Sequence, residues 1–457
     1  MDVKGIKKIK QKEKIIEKCI NESYQIHNKL SSSHATWKSK FLNFKDYVKY
    51  NIIKLNKTFD FTTETVHVLY KKYNGKEIKS SEYYKQIQNK FLLMTYRSQY
   101  KQQTSLKNKS AYTSDCGWGC MIRSSQMIFS RMIYKVFKKL YKNRFTSDII
   151  IKSIIPFFLD NNINIKDVYI TSNECLNISL KNYINQLNIY LNKQDPKKGD
   201  KMKLTIKSFD PPFSIHKICR IGEIFGRTCG EWFSDFDLPK IYEIINTTFN
   251  IIPNLSILHF TSDIDMNIII EKCLKRIENF ENVSKISEID YFINENKEKF
   301  ILKTMGAIFV SVRLGVTSIL SDYFSSLKKL FKCKQFLGFI GGKVYSGSYF
   351  FGYYEDNLLY FDPHLRQESI FDLNDENLQT YIEKNVYQIP FKSLQCAFTL
   401  GFLFRDINEF KQLYDFLKEY TLEKLPCFHI NFKTNKSGNG LSNEDINNNI
   451  NNLEDDF

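Results

Sequence analysis

The chain of 457 residues is 42% hydrophobic and 15% aromatic, enough apolar material for one large domain or two ordinary ones, and this excludes a disordered polymer. Its 66 Lys and Arg against 50 Asp and Glu leave a net charge of +16, which permits an anionic partner such as a membrane surface. The lysines are spread through an Asn-, Ile- and Lys-rich sequence without the basic and aromatic interleaving of RNA-binding sheets, so no nucleic acid is expected.

Residues 1–60 are rich in Lys and Asn and read as a flexible extension, with one amphipathic stretch at 6–20. Lysines break the first eighteen residues, so the apolar run of a secretory signal is missing and the ten cysteines are expected to be reduced, in the cytoplasm. Val66, Val68 and Leu69 predict a short strand, and 83–94 a helix that ends at Met94-Thr95-Tyr96-Arg97, with a polar loop beyond it. The run Ser114-Asp115-Cys116-Gly117-Trp118-Gly119-Cys120-Met121 is a glycine-rich turn entering a helix. From Cys120 onward Met121, Ile122, Phe129, Met132, Ile133, Val136, Phe137 and Leu140 share one arc, and Arg131, Lys135 and Lys138 fall opposite.

Residues 147–159 predict a second apolar helix, and the Asn- and Lys-rich stretch 161–212 an insertion. Ser214 is placed to cap the next helix, and a glycine-punctuated loop over 226–233 leads to a helix at 238–245. A strand follows at 254–260 and a charged, helical surface segment at 263–300. The last third reads as a strand at 307–314, a helix at 319–331 and a buried strand at 336–341. Strands at 349–354 and 358–361 then flank the turn signal Glu355-Asp356-Asn357 and deliver Asp362-Pro363-His364. A helix at 409–420 precedes an Asn-rich, acidic tail over 431–457 that is expected to be disordered. The apolar run 397–404 falls far short of the ~18 residues of a membrane helix. Helices early and strands late predict an α+β fold over residues 61–430.

The chemistry centres on Cys120. Gly117 and Gly119 remove side chains from the approach to its sulfur, and a helix start points unpaired N–H groups at it, which favours thiolate and can hold an oxyanion. The same pattern is compatible with an inert buried cysteine. Cys116 lies four residues before Cys120, but no second Cys/His pair has zinc-finger spacing, so no metal is expected. For a base, Asp362 and His364 stand two apart at the end of a strand, where alternate residues share a face and a carboxylate can grip an imidazole. A surface turn is the alternative. His216 has no carboxylate within four residues and reads as structural.

Ser114-Asp115-x-Gly117-Trp118-Gly119-Cys120-Met121 together with Asp362-Pro363-His364-x-x-Gln367 resembles the autophagins, autophagy cysteine proteases of papain-like fold. Segments between them are similar too, among them Met94-Thr95-Tyr96-Arg97, Gly230-Glu231-Trp232-Phe233 and Arg313-Leu314-Gly315. The resemblance implies a cofactor-free protease that cuts after the C-terminal glycine of a ubiquitin-like autophagy modifier, both in its precursor and in its conjugate with phosphatidylethanolamine, in peripheral contact with membranes. It further implies Cys120 as nucleophile, His364 as base and then acid, Asp362 as its orienter, and Tyr96 as an oxyanion donor. Trp232 is implied to cover a narrow tunnel for the glycine tail, Lys343 to Ser346 to form a gate, and Arg313 to touch the modifier. Val344 departs from the proline expected in that gate, and the 161–212 insertion is also a departure. A modifier-binding scaffold without turnover and a transglutaminase-like acyl transferase stay open.

Overall fold

The computed structural model describes residues 65–74, 90–105, 110–141, 145–164, 208–209, 211–276, 300–343, 346–382 and 385–431. The predicted extension over 1–60, most of the helix at 83–94, the insertion's interior and the tail lie outside them.

Two short strands, β1 (Thr65–Val68) and β2 (Lys71–Asn74), open the described chain, followed by β3 (Tyr96–Thr104) and β4 (Ala111–Ser114). Here the sequence reading needs correction: Tyr96 begins a strand and does not close a helix. β3 pairs parallel with β10 (Arg366–Glu368) and antiparallel with β4, so a partner about 270 residues away decides its conformation over local propensity. Helix α1 (Cys120–Leu140) then runs for 21 residues, about 30 Å. Its N-terminal two-thirds is largely buried, Arg123 and Arg131 included, and Lys138 and Lys139 stand in its last turn. The apolar stretch at 147–159 splits into α2 (Ser147–Ile154) and the 3₁₀ turn Ile155–Phe158, where Pro156 lacks the N–H an α-helix would use. The two ends of the predicted insertion meet, since Ile163–Asn164 pairs antiparallel with Ser208–Phe209.

Ser214 caps α3 (Ile215–Gly222) by accepting from the Lys217 N–H, as the sequence predicts. Helix α4 (Asp237–Phe249) follows, then β5 (Leu255–Thr261) and the short α5 (Met266–Cys273). The segment read as one charged helix over 263–300 is helical only there among its described residues, since Asp263–Asp265 and Leu274–Arg276 are short strands and Phe300 begins another. β6 (Met305–Ser318), α6 (Phe324–Leu330), β7 (Phe336–Lys343), β8 (Ser346–Tyr354) and β9 (Asn357–Phe361) come next. Helix α7 (Asp375–Ile382), β11 (Tyr387–Pro390), β12 (Gln395–Phe404) and α8 (Ile407–Tyr420) complete the set.

Among the described residues nine strands form one sheet in the order β11-β9-β8-β7-β12-β6-β5, with β1 on β8 and β2 on β1. All pairs are antiparallel except β6 with β5. The apolar run at 397–404 is therefore an interior strand of this sheet, between β7 and β6. Side-chain alternation splits the core in two. Ala307, Phe309 and Leu403 pack toward α1, α2, α3 and α4. Ile308, Val310, Phe398, Leu400 and Phe402 pack toward α5, α6 and α8 on the other side. The sheet edge next to the start of α1 is where β7 and β8 turn, which sets the site. No helix among the described residues is long and apolar enough to cross a membrane.

Candidate active site

Cys120 is the first residue of α1, and its helix has no side-chain cap at Gly119, so the first-turn N–H groups are not taken by a neighbouring hydroxyl or carboxylate. The turn before it is braced from below. Trp118 and Gly119 donate their N–H groups to the Asp115 carbonyl at 3.2 and 2.8 Å, and Gly117 sits at φ +86°, where only glycine is unstrained. The Asp115 carboxylate accepts from Arg97 N–H at 2.6 Å and from Arg123 Nε at 2.7 Å. Arg123 forks on to Asp160 with two bonds of 3.1 and 2.9 Å. Burial works against the Arg123 charge, yet Asp115 and Asp160 hold it well above its ordinary value. A side chain at Gly119 would run into the Asp115 carboxylate, so this glycine lets the brace close under the turn.

His364 arrives from the opposite wall. The strand β9 stops at Phe361, and the Asp362 carboxylate accepts both from the His364 backbone N–H at 2.9 Å and, closely, from its Nδ1. The pair therefore owes its geometry to a turn closed by an aspartate, and not to two residues sharing a strand face as the spacing had suggested. With Nδ1 bound, Nε2 is turned toward Ser346 Oγ at 3.4 Å and toward the Cys120 sulfur. Tyr96 is fixed alongside: its N–H donates to the Pro363 carbonyl at 2.9 Å, and its ring meets the His364 ring edge-on at 5.3 Å.

Cys120 is only 2% exposed. Burial alone pushes its thiol up. The His364 hydrogen bond and charge, the Gly347 N–H at 3.5 Å and the Tyr96 hydroxyl outweigh that, and the thiol falls below its ordinary value. His364 moves the other way: burial lowers it, but Asp362 and the Cys120 sulfur push it up to about 10. The arrangement can thus hold a thiolate against an imidazolium, with a carboxylate behind the ring.

Other sequence-selected residues fall around this centre. Trp232 is 43% exposed and donates its indole Nε1–H to the Gly117 carbonyl at 2.9 Å, so it lies over the turn that leads to Cys120. Gly230, at φ +86°, leaves room for the Tyr112 ring beneath the same loop. Arg313 is exposed on β6 and donates to the Val316 carbonyl at 2.7 Å; its strand pairs with β12 at Ala397, at the end of the sheet that also carries Gly347. Ser346 begins β8, whereas the Lys343 side chain and residues 344–345 lie outside the described residues. Cys116 packs in one small cluster with Tyr96 and Cys120. His216 bonds the Lys101 carbonyl at 2.7 Å and stacks edge-on against Tyr100, away from this group. Sequence reasoning missed the Gly347 N–H on the sulfur. The one available signal was the glycine that follows the predicted gate.

The Peptidase C54 catalytic domain matches residues 80–416 of the chain. The cysteine protease ATG4C of Xenopus tropicalis is 24% identical over 431 residues, covering 86% of this chain and 88% of that protein. The cysteine protease ATG4B of Gallus gallus is 26% identical over 275 residues, 56% of each chain. The cysteine protease atg4 of Dictyostelium discoideum is 35% identical over 132 residues, 27% of this chain and 18% of that one. A family match over most of the chain, on an α+β scaffold, makes the conclusion direct: the chain belongs to the peptidase C54 family, the autophagins, and is a cysteine protease of papain-like fold.

Proposed function

We propose that the protein acts in autophagy by cutting after the C-terminal glycine of a ubiquitin-like modifier, maturing the precursor and releasing the modifier from phosphatidylethanolamine. The observation that carries this reading is the convergence of Cys120, His364, Asp362 and Tyr96 beneath an exposed Trp232, in a turn stripped of side chains at Gly117 and Gly119. A narrow approach of that kind suits a tail that itself ends in glycine.

In this mechanism the Cys120 thiolate attacks the glycine carbonyl, and the resulting oxyanion is held by the Cys120 N–H and the Tyr96 hydroxyl. As the C–N bond breaks, His364 Nε2 gives its proton to the leaving nitrogen, whether that belongs to a peptide or to ethanolamine. The neutral ring then takes a proton from water, the hydroxide adds to the thioester, and thiolate and free glycine carboxylate separate. Asp362 keeps Nδ1 protonated throughout and offsets the imidazolium charge. The site we assign consists of Cys120, His364, Asp362 and Tyr96, with Trp232, Gly117, Gly119, Arg313, Lys343 and Ser346 receiving the tail and the modifier's body. The protein is proposed to work in the cytoplasm.

The test is to incubate the purified protein with a modifier precursor carrying an extension beyond the glycine, and to weigh the products by mass spectrometry. The reading expects one cut, after the glycine, by the wild type, and none by Cys120→Ala. Equal cutting by both, or no cutting by the wild type, contradicts it. Incorporation of an added amine in place of water favours acyl transfer.

A further inference from the structure

Trp232 is tied at one end to Gly117, and the loop that carries it is tied again three residues later, at Asp235. Thr399 Oγ1, on the interior strand β12, lies 3.1 Å from Asp235 Oδ2 and 3.0 Å from the Asp235 carbonyl. Ser311 Oγ on β6 is 2.6 Å from Thr399 Oγ1, and His259 Nε2 on β5 is 2.9 Å from Ser311 Oγ. Four side chains from the loop and three neighbouring strands thus make one polar row, on the sheet face that packs toward α1. The protons count out in one direction only while Asp235 is ionised: His259 Nε2–H to Ser311, Ser311 to Thr399, Thr399 to the carboxylate. Burial and Lys240 lower His259 to about 4, so its ring is neutral and has a single N–H to give.

A carboxylate in this position is not what stability selects. Burial pushes Asp235 up to about 6, with a smaller push from the like charge of Asp237, against the opposing hydrogen bond from the Thr399 hydroxyl. The ring of Phe236 stands edge-on to His259 at 4.8 Å, with Lys240 over its face at 3.9 Å, so the loop is laid flat across the sheet at this point. Three residues span at most ~10 Å, so a shift at Asp235 reaches the indole.

On the reading of Cys120 as the nucleophile, we infer that Asp235 is a positioning residue for Trp232. Its bond to Thr399 pins the loop on the sheet side of the cleft while the indole pins it on the Gly117 side, and together they hold the loop as a strap across the approach to Cys120. Asp235 touches neither the sulfur nor the imidazole and acts through Trp232 alone.

The experiment uses the full chain and iodoacetamide, with alkylation mapped residue by residue by mass spectrometry. Asp235→Leu with Thr399→Val removes both partners while keeping their shapes; the Ser311 hydroxyl, which donates to Thr399, loses its acceptor, so a modest loss of global stability accompanies the change. The inference expects Cys120 in this double variant to alkylate roughly threefold faster or more at a temperature well below its melting transition, as a local opening exposes it, with Cys219, Cys273, Cys333 and Cys427 as protected as in the wild type. Asp235→Asn and Thr399→Ser each keep the acceptor or the donor and are expected to stay near the wild-type rate. An unchanged or slower Cys120 rate in the double variant, or faster labelling of all the buried cysteines together, overturns the strap. A wild-type Cys120 no more reactive than a free thiol at about pH 6 contradicts the nucleophile instead, and leaves the comparison between variants intact.

Discussion

The sulfur of Cys120 and the ring of His364 exchange protonation preferences, and the pH behaviour of the site follows from that exchange. Cys120 is lowered and His364 is raised from 6.5 to about 10, so the ion pair persists from below the ordinary thiol range up to about pH 10. Alkylation of Cys120 should therefore stay fast across neutral pH and fall with acid, and in His364→Ala its rise should move to higher pH, toward the ordinary thiol value. The stability term has a fixed sign. The folded state holds a proton on His364 that the unfolded chain releases near pH 6.5, so this contribution is full below that pH and disappears as pH climbs through about 10. Asp362→Asn keeps the shape but loses the charge behind the ring, and should cost about 10²- to 10⁴-fold in kcat, measured with the precursor. Tyr96→Phe removes the hydroxyl we propose as an oxyanion donor and should cost up to about 10²- to 10³-fold by the same assay. The spacing of Asp362 and His364 was readable in the sequence, but its cause was not. The aspartate-closed turn depends on where β9 stops, and pairing with its neighbours sets that point.

At the scale of elements, the site is a joint between the start of α1 and the β7–β8 turn. Gly347 is the tightest point of that joint: a methyl added there would stand 3.1 Å from the Met121 N, Cα and Cε atoms. The helix start cannot yield without moving Cys120, so Gly347→Ala should draw the N–H away from the sulfur and slow alkylation at neutral pH several-fold, while α1 itself stays folded by circular dichroism. The brace below the turn makes a different prediction. Arg123→Leu leaves the Asp115 and Asp160 carboxylates buried and unpaired, which should cost about 3–5 kcal/mol in urea unfolding. α1 was legible because its apolar arc and its glycine entry are local signals. β3 was not, since its partners Arg366, Gln367 and Glu368 are remote in sequence. The interior strand β12 was read only as an apolar run because burial on both faces erases the alternation that marks a strand.

Over the whole molecule, one sheet carries two cores, and the site opens at the sheet end where three separate regions of the chain converge. The α+β class was readable from the order of helices and strands; the sheet order was not, because the parallel β5–β6 pair and the return of β12 between β6 and β7 leave no local trace. The net charge of +16 belongs to this scale too. If it assists release of the modifier from lipid, vesicles containing acidic lipid should bind the protein more strongly than neutral ones, by about 1 kcal/mol per well-placed Lys or Arg, and salt should weaken that binding. Salt-insensitive binding would argue against it. The central claim, that Cys120 attacks the carbonyl of a modifier's terminal glycine, is tested most directly with a modifier whose C-terminal glycine is converted to an electrophile that traps thiolates. The account predicts a single covalent adduct mapped to Cys120, lost in Cys120→Ala and strongly slowed in His364→Ala; an adduct on another cysteine, or none with the wild type, would contradict it.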